Sequence, residues 1–451
     1  MRRQSKRFEV SDAEKFLRSI LFYGSRQKDF CLLNSNRAAY PVADKYSSYD
    51  LIAGIGSICE LKNAGDSFES LRSFHEENSD WLFGFLSYDL KCETANLPSG
   101  NYDGIGFPLI HFFRPRFVLT LQKNVCEVFF APELDDAQSV NELMVELNSH
   151  SVNGRTDAEQ KQSYVEIRKR VSREEYLADV AKIHSHIQRG DVYELNYCQE
   201  FYAEDAIINP VETYLRMNLF SPMPFSGFLK CHDKYLMCAS PERFLKKAGT
   251  KIISQPIKGT IARMRNEEED IVQKMTLLND RKEQAENVMI VDLVRNDLSH
   301  TAKKGSVKVE EMSGIYSFAN LHQMISTVTS ELRDDVHWTE TIRKAFPMGS
   351  MTGAPKIRAM QLIEQFEKTR RGLFSGSFGY ITADGDFDFN VVIRSLLYNE
   401  ASRYLSYMAG SAITAMSNPE KEYEECLLKA SALNNIFPEQ KKPGYMAPIH
   451  A

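Results

Sequence analysis

Lys251-Ile252-Ile253-Ser254-Gln255-Pro256-Ile257-Lys258-Gly259-Thr260 sets a lysine at the end of an apolar, β-branched run. The run reads as a strand. Pro256 removes a backbone donor and Gly259 opens conformations closed to other residues, so the strand is expected to end there in a tight turn. A lysine on such a turn can be aimed at one point in space, although taken alone it reads as a solvated turn residue. A free lysine, with a pKa of about 10.4, is neutral only about once in 2,500 molecules at pH 7. Chemistry at Lys258 therefore needs desolvation or a partner base.

Outward from this stretch, strands are expected at Phe225–Lys230 and Tyr235–Ala239, and later at Ser375–Thr382, Asp388–Tyr398 and Tyr404–Ala409, with a turn at Asp384-Gly385. A helix is expected near Met275–Val294. Ser172-Arg173-Glu174-Glu175 is a capping box; Tyr176, Val180, Ile183 and Ile187 then keep one apolar face until Arg189-Gly190. Upstream, residues 26–135 are rich in short strand-like runs, clearest at Trp81–Asp89 and Phe112–Leu119. Residues 1–25 read as a loosely attached, charged start. Asp135–Ser163 is polar, with one helical pattern near Val140–Leu147 and a linker-like second half containing Asn153-Gly154. The fold class is α+β: a strand-rich region over residues 1–160, a larger part with hairpins under long helices over 165–437, and a tail over 438–451.

Composition narrows the function classes. The 451 residues suit two or three domains or one large interdigitated one. A net charge of −6 argues against a general nucleic-acid or anionic-membrane binder. The basic start Met1-Arg2-Arg3-Gln4-Ser5-Lys6-Arg7 is not followed by a signal-type apolar segment, and no run approaches the roughly 20 apolar residues that span a bilayer. Eight cysteines are scattered without a CxxC pair, as expected of free thiols in a reducing cytoplasm. None stands in a Gly-x-Cys-x-Gly turn, so no thiol nucleophile of the amidotransferase kind is seen.

Four pieces carry groups suited to chemistry on a small polyanion. In Pro347–Lys356, Gly349 and Gly353 permit a tight turn and Pro355 suits the first helical position; open amides, hydroxyls and Lys356 there would hold a carboxylate or phosphate. After Asn418-Pro419, Glu422, Glu425 and Lys429 share one helix face, with Cys426, Ala430 and Leu433 on another. Such charge runs are usually solvated, yet two carboxylates per ion, completed by water and substrate oxygens, is how Mg²⁺ is commonly held. In Arg281–Asp297 an apolar helix carries Glu286 and Asp292 among buried-looking residues, and a buried carboxylate needs a partner such as a metal shared with Glu425. Ser240-Pro241-Glu242-Arg243-Phe244 comes off a strand shortly before Lys258, so Glu242 and Lys258 form a plausible acid/base and nucleophile pair, or simply a surface ion pair.

Taken together, Ser240–Phe244, Gln255–Thr260, Ala285–Asp297, Gly349–Lys356, Gly379-Tyr380, Ile393-Arg394-Ser395 and the Glu-rich closing helix resemble the chorismate-utilising family. That family includes the large components of anthranilate and aminodeoxychorismate synthases and the isochorismate and salicylate synthases. The resemblance is dense from about 165 to 435 and thinner in the first third, where Phe83–Asp89 looks like a degenerate form of a Gly-rich Tyr-Asp strand. It implies an anthranilate synthase component I-like fold, with β-sheets packed in a sandwich and helices outside. A lysine before Gly259-Thr260, where other branches usually carry a small residue, points to the aminodeoxychorismate synthase branch.

The resemblance further implies roles. Lys258 would attack C2 of chorismate as the C4 hydroxyl leaves, ammonia would displace it, and Glu242 would serve as general acid/base and as the candidate base for Lys258. Glu286 and Glu425, with Glu422 adjacent, would hold Mg²⁺ against the ring carboxylate. Gly259, Thr260, Ser350, Tyr380, Arg394, the Gly410 turn and Lys429 match the substrate-binding positions. Ammonia would come from a glutamine amidotransferase partner, in a soluble cytoplasmic enzyme of 4-aminobenzoate and folate biosynthesis. Gln323 stands where the family often has His, next to His322; Ala412 replaces a usual Gly; Ser350 replaces a usual Thr. The competing readings are an anthranilate synthase component I and a chorismate-binding paralogue without turnover.

Overall fold

The strand from Lys251 does form, as Lys251–Gln255, but no turn ends it. Pro256 breaks the ladder, and Ile257–Ala262 resumes beside the same neighbour, Leu321–Glu331. Between Ile257 and Thr260 the register slips, because Lys258 and Gly259 form a β-bulge instead of the expected tight turn. Gly259 adopts φ +84°, and the bulge re-aims Lys258 away from the strand's own alternation.

The computed structural model describes residues 3–39, 45–149, 165–434 and 436–437. Among these, twenty strands form one continuous antiparallel ladder. The long strand Ile110–Gln122 is its bend. Its first half pairs with Leu82–Leu86 and its second with Val125–Phe130, while Leu51–Glu60 lies along its other edge. From there one arm runs through Asp29–Asn34, Phe225–Cys231, Lys234–Ser240, Ser395–Asn399 and Tyr404–Thr414 to Glu194–Ala203. The other runs through Ser377–Ile381, Phe387–Asn390 and Arg243–Ala248 to the Lys251 strand. Strands from before residue 150 thus pair with strands from after residue 165 at two places.

Apolar side chains from both arms, among them Ile52, Phe83, Leu236, Phe378 and Leu397, meet in a central cluster. Helices cover the outer faces. Arg173–Gln188 closes on its capping box and buries Tyr176, Val180, Ile183 and Ile187 as its spacing predicts. Each such side chain contributes roughly 1.5–3 kcal/mol by leaving water.

Several expectations are corrected. The first residues are not loosely attached: Gln4–Glu9 pairs with Val125–Phe130, and Ala13–Gly24 buries Phe16, Ile20 and Leu21. The helix expected near Met275–Val294 is two, Glu267–Asn279 and Arg281–Ser299. Asp280 divides them, its carboxylate accepting from the amides of Lys282 and Glu283. Asp388–Tyr398 is likewise two strands, separated at Val391–Arg394, where Arg394 takes φ +50°. Gly410-Ser411-Ala412 is not a turn but the middle of Tyr404–Thr414. A Cβ at Gly410 would lie 2.0 Å from the Tyr197 carbonyl oxygen, so close backbone approach is required there. The helical pattern near Val140–Leu147 is present as Ala137–Ser149; the linker-like Asn153-Gly154 and the tail from 438 lie outside the described residues. All eight cysteines are free, and among the described residues no helix is long and apolar enough to cross a membrane.

Candidate active site

The bulge delivers Lys258 into the protein, where Nζ donates to Glu194 Oε1 at 2.6 Å and both side chains are buried. Glu194 opens the strand Glu194–Ala203 and is held from both sides. Thr414 pairs across from it on one flank, and Ala354, at the end of the turn after Gly349, on the other. Burial opposes the ammonium of Lys258, but Glu194 first, then Glu286 and Glu242, more than offset this and raise its pKa above the usual lysine value. The second oxygen of Glu194 is buried without a hydrogen-bond partner.

Glu242 precedes Arg243–Ala248, its amide donating to Ser240 Oγ. Burial pushes its carboxyl up to about 7, with Ser350, Lys258 and the Ile257 amide pulling the other way. Glu242 is therefore part acid and part base near neutrality. It shares a small cavity with Ser350, Pro256 and Asp297. Arg394 completes this side. Its guanidinium, partly neutralised only by Glu242, forms no hydrogen bond or ion pair with any described residue. An unpartnered, largely buried cation is a receptor for an anion.

On the opposite side the helix break at Asp280 aims the first turns of Arg281–Ser299 inward. Lys282 Nζ stands 3.7 Å from Glu286 Oε1 and 3.6 Å from Glu422 Oε1, contacts too long for hydrogen bonds. Glu286 Oε1 and Glu422 Oε2 are buried without hydrogen-bond partners. Burial first, then Glu194 and Glu283, raise the Glu286 carboxyl to about 7 against Lys258 and Lys282. Two under-satisfied carboxylates around one loosely placed cation fit a hard divalent ion. Glu425 takes a different position, half exposed and paired with Lys429 at 2.7 Å, while Lys429 also donates to the Gly410 carbonyl at 3.0 Å.

Lys258, Glu242, Ser350, Arg394, Glu286 and Glu422 thus converge, and Gly259 packs against Leu277 and Glu283 at the rim. Thr260 is exposed and accepts from Gln323 Nε2 at 3.4 Å. Tyr380 is not brought to this site. It lines another cavity with Ser48, Tyr49, Arg243 and Asp388, because alternation along Ser377–Ile381 turns it to the central cluster. Asp292 is exposed and paired with Arg295, not buried. Lys356 is occupied by Asp297 at 2.6 Å and the Ala345 carbonyl, so it ties two helices instead of holding a ligand. Pro355 is the cap residue before the helix, not its first position. His322 is fully buried between Asp270 and Ser317.

Sequence reasoning missed Glu194, Lys282 and Glu283. A signal existed for the first: Glu194 is the lone carboxylate in the apolar run Val192–Tyr197, where a charge needs a partner. It corrects the base proposed for Lys258, since the carboxylate bonded to the lysine is Glu194 and not Glu242.

Residues 28–435 match the family described as chorismate binding enzymes. The chain belongs to this family. Relatives within it carry two activities in their names. The chain is 34% identical over 391 residues to a chloroplastic aminodeoxychorismate synthase of Arabidopsis thaliana, covering 82% of this chain and 42% of that protein. It is 39% identical over 263 residues to aminodeoxychorismate synthase component 1 of Salmonella typhimurium, covering 58% of this chain and 57% of that one. A chloroplastic anthranilate synthase alpha subunit 1 of Oryza sativa subsp. indica is 33% identical over 391 residues, covering 78% and 67%. The chain therefore spans about half the length of the aminodeoxychorismate synthases it matches. The family fold is evident in anthranilate synthase component I of Streptococcus pneumoniae, with a TM-score of 0.76 at 24% identity over 87% of this chain and 93% of that one. The mixed helix and antiparallel-sheet architecture expected from sequence is the fold of this family.

Proposed function

We propose that the chain is the chorismate-converting subunit of an aminodeoxychorismate synthase, turning chorismate and ammonia into 4-amino-4-deoxychorismate and water. The observation that carries this reading is Lys258, buried against Glu194 within a ring of carboxylates and within electrostatic reach of Glu242.

Chorismate is a small dianion, so Arg394 would take one carboxylate by charge-assisted hydrogen bonds. Glu286 and Glu422, with Glu425 released from Lys429, would hold Mg²⁺, which when bound supplies positive charge for the ring carboxylate. Positive charge offsetting Glu286, together with a protonated Glu242, would weaken the hold of the carboxylates on the ammonium and favour neutral lysine. Glu194 then accepts a proton from Nζ, and the freed amine forms a bond to C2 of chorismate. Both ring double bonds shift, from C1=C2 and C5=C6 to C1=C6 and C4=C5, and the C4–O bond breaks, with protonated Glu242 giving its proton to the departing hydroxyl, which leaves as water. Ammonia adds at C4, both double bonds shift back, the C2–N bond to Lys258 breaks, and Glu194 returns its proton to Nζ. Two allylic substitutions replace one hard one. Ammonia would reach the site from a glutamine amidotransferase partner or from free ammonium.

Anthranilate synthase is the second reading, favoured by the rice relative covered over 67% of its length. Product analysis with ammonium, chorismate and Mg²⁺ separates the two, since 4-amino-4-deoxychorismate retains its enolpyruvyl group and anthranilate does not. Tryptic peptide mass spectrometry of chorismate-treated enzyme, without ammonia, tests the covalent step. An adduct of chorismate minus water on Lys258 supports it.

A further inference from the structure

Four strand ends gather side chains that the chemistry above does not use. Asp29 starts Asp29–Asn34, Glu60 ends Leu51–Glu60, and His111 lies at the start of Ile110–Gln122. His232 sits in the hairpin between Phe225–Cys231 and Lys234–Ser240. Its backbone takes φ +56°, a left-handed position that histidine, asparagine and aspartate enter more often than other non-glycine residues.

The four ligand atoms form a chain of close approaches. His111 Nε2 is 3.0 Å from Asp29 Oδ1, Asp29 Oδ1 is 4.0 Å from His232 Nε2, and His232 Nε2 is 3.1 Å from Glu60 Oε2. Asp29, Glu60 and His111 each present a ligand atom within 4.8 Å of the others. A tetrahedral ion with bonds of roughly 2.1 Å places its ligand atoms about 3.4 Å apart. The 3.0, 4.0 and 3.1 Å above are three of its six separations. His232, which shares a cluster with Asp29 and Cys231 but not with the Glu60–His111 pair, would swing in to complete the set. Each carboxylate is also anchored by its other oxygen: Ser57 Oγ donates to Asp29 Oδ2 at 2.7 Å, and Lys28 Nζ to Glu60 Oε1 at 2.5 Å. Outer partners that hold one oxygen and leave the other toward imidazole are the support a metal ligand needs. Asp29 is wholly buried, while His232 remains half exposed, so an ion would have an anchored floor and an open entry.

We propose that Asp29, Glu60, His111 and His232 form a second metal site, for a divalent ion of the zinc class. Two imidazoles with two carboxylates is a borderline donor set, suited to zinc over magnesium or calcium. Cys231 Sγ also lies within 4.8 Å of ligand atoms of Asp29 and His232, and the ion is assigned to the four nitrogen and oxygen donors. Such an ion would tie four strands drawn from both sides of residues 150–164.

The test is titration of chelator-treated full chain with Zn²⁺ against a chromophoric competitor, and with Co²⁺ followed by visible absorption. A Glu286→Gln/Glu422→Gln background removes the acidic cluster near Lys258. The proposal expects one bound equivalent in that background, a tetrahedral cobalt band without thiolate charge transfer, and an affinity weakened in His232→Ala and His111→Ala by at least the roughly 10–100-fold that losing even an outer partner costs. His232 is half exposed, so His232→Ala tests the site even if His111→Ala folds poorly. Unchanged affinity in His232→Ala, or loss of all binding in the Glu286→Gln/Glu422→Gln background alone, would overturn it.

Discussion

Replacing Lys258 by alanine removes both the proposed nucleophile and the cation that Glu194 faces, and the two losses can be separated. Nζ lies 2.6 Å from Glu194 Oε1 in a buried pair, with Glu286 and Glu242 the next charges in reach. Breaking a buried pair while leaving its partner charged costs about 3–5 kcal/mol. For 451 residues the unfolding entropy is roughly 1 kcal/mol per kelvin, so Tm should fall by about 3–5 °C. The loss should depend on pH. Glu242 and Glu286 have folded pKa values raised to about 7 from 4.5, so their contribution is full below the unfolded value and lost as pH rises through 7. Without Lys258 that loss deepens, and the Tm gap to wild type should be wider at pH 8 than at pH 6. Lys258→Ala/Glu194→Gln removes the stranded charge together with the cation and should regain most of the stability. Amination should stay down by at least roughly 10³-fold in both variants, equivalent to about 4 kcal/mol of barrier. Calorimetry and ammonium-dependent turnover are the assays. A double variant that recovers turnover along with Tm would refute the nucleophile, and a single variant of unchanged Tm would refute the buried pair.

Glu242 must be protonated to release the hydroxyl, so kcat/KM should fall as pH rises through about 7, and Glu242→Gln should lose that limb with a drop of at least about 10²-fold; a limb that survives the substitution assigns it elsewhere. Saturating Mg²⁺ should raise Tm by about 3 °C, following roughly 2.7 kcal/mol at a hundredfold excess over Kd, and Glu286→Gln/Glu422→Gln should abolish the shift; an undiminished shift would place the ion outside this cluster. Arg394→Met should raise KM for chorismate about 10–100-fold, from the 1.5–3 kcal/mol of a hydrogen bond to a charged group, with Tm within a few degrees of wild type; an unchanged KM would remove Arg394 from the binding side.

The amphipathic helices and most strands were legible because their periodicities are local. The capping box at Ser172 and the apolar face behind it needed nothing beyond neighbouring residues. What was not legible depends on partners far along the chain. Pro256 and Gly259 carry the same local signal for a turn as for a bulge, and only the continuing ladder with Leu321–Glu331 decides between them. Asp280 divides a helix by capping it, which reads in sequence as one more polar residue on a long helical face. The start of the chain looked free because Gln4–Glu9 alternates weakly, yet it pairs with a strand more than a hundred residues away. In the site, Lys258, Glu242 and Glu286 were found through residue type and spacing, and Arg394 through the family resemblance. Glu194 was missed because its partner is a single lysine delivered from across the sheet. Tyr380 was misplaced because a motif gives position along a strand but not the face on which the side chain stands.

The central claim concerns what the chain does to chorismate, and product identity tests it most directly. Purified protein with chorismate, Mg²⁺ and ammonium should yield, by mass spectrometry, chorismate with its C4 hydroxyl exchanged for an amino group and its enolpyruvyl ether intact. That product should become 4-aminobenzoate only after an aminodeoxychorismate lyase is added. A fluorescent aromatic amine formed with release of pyruvate, in the absence of any lyase, would contradict the account.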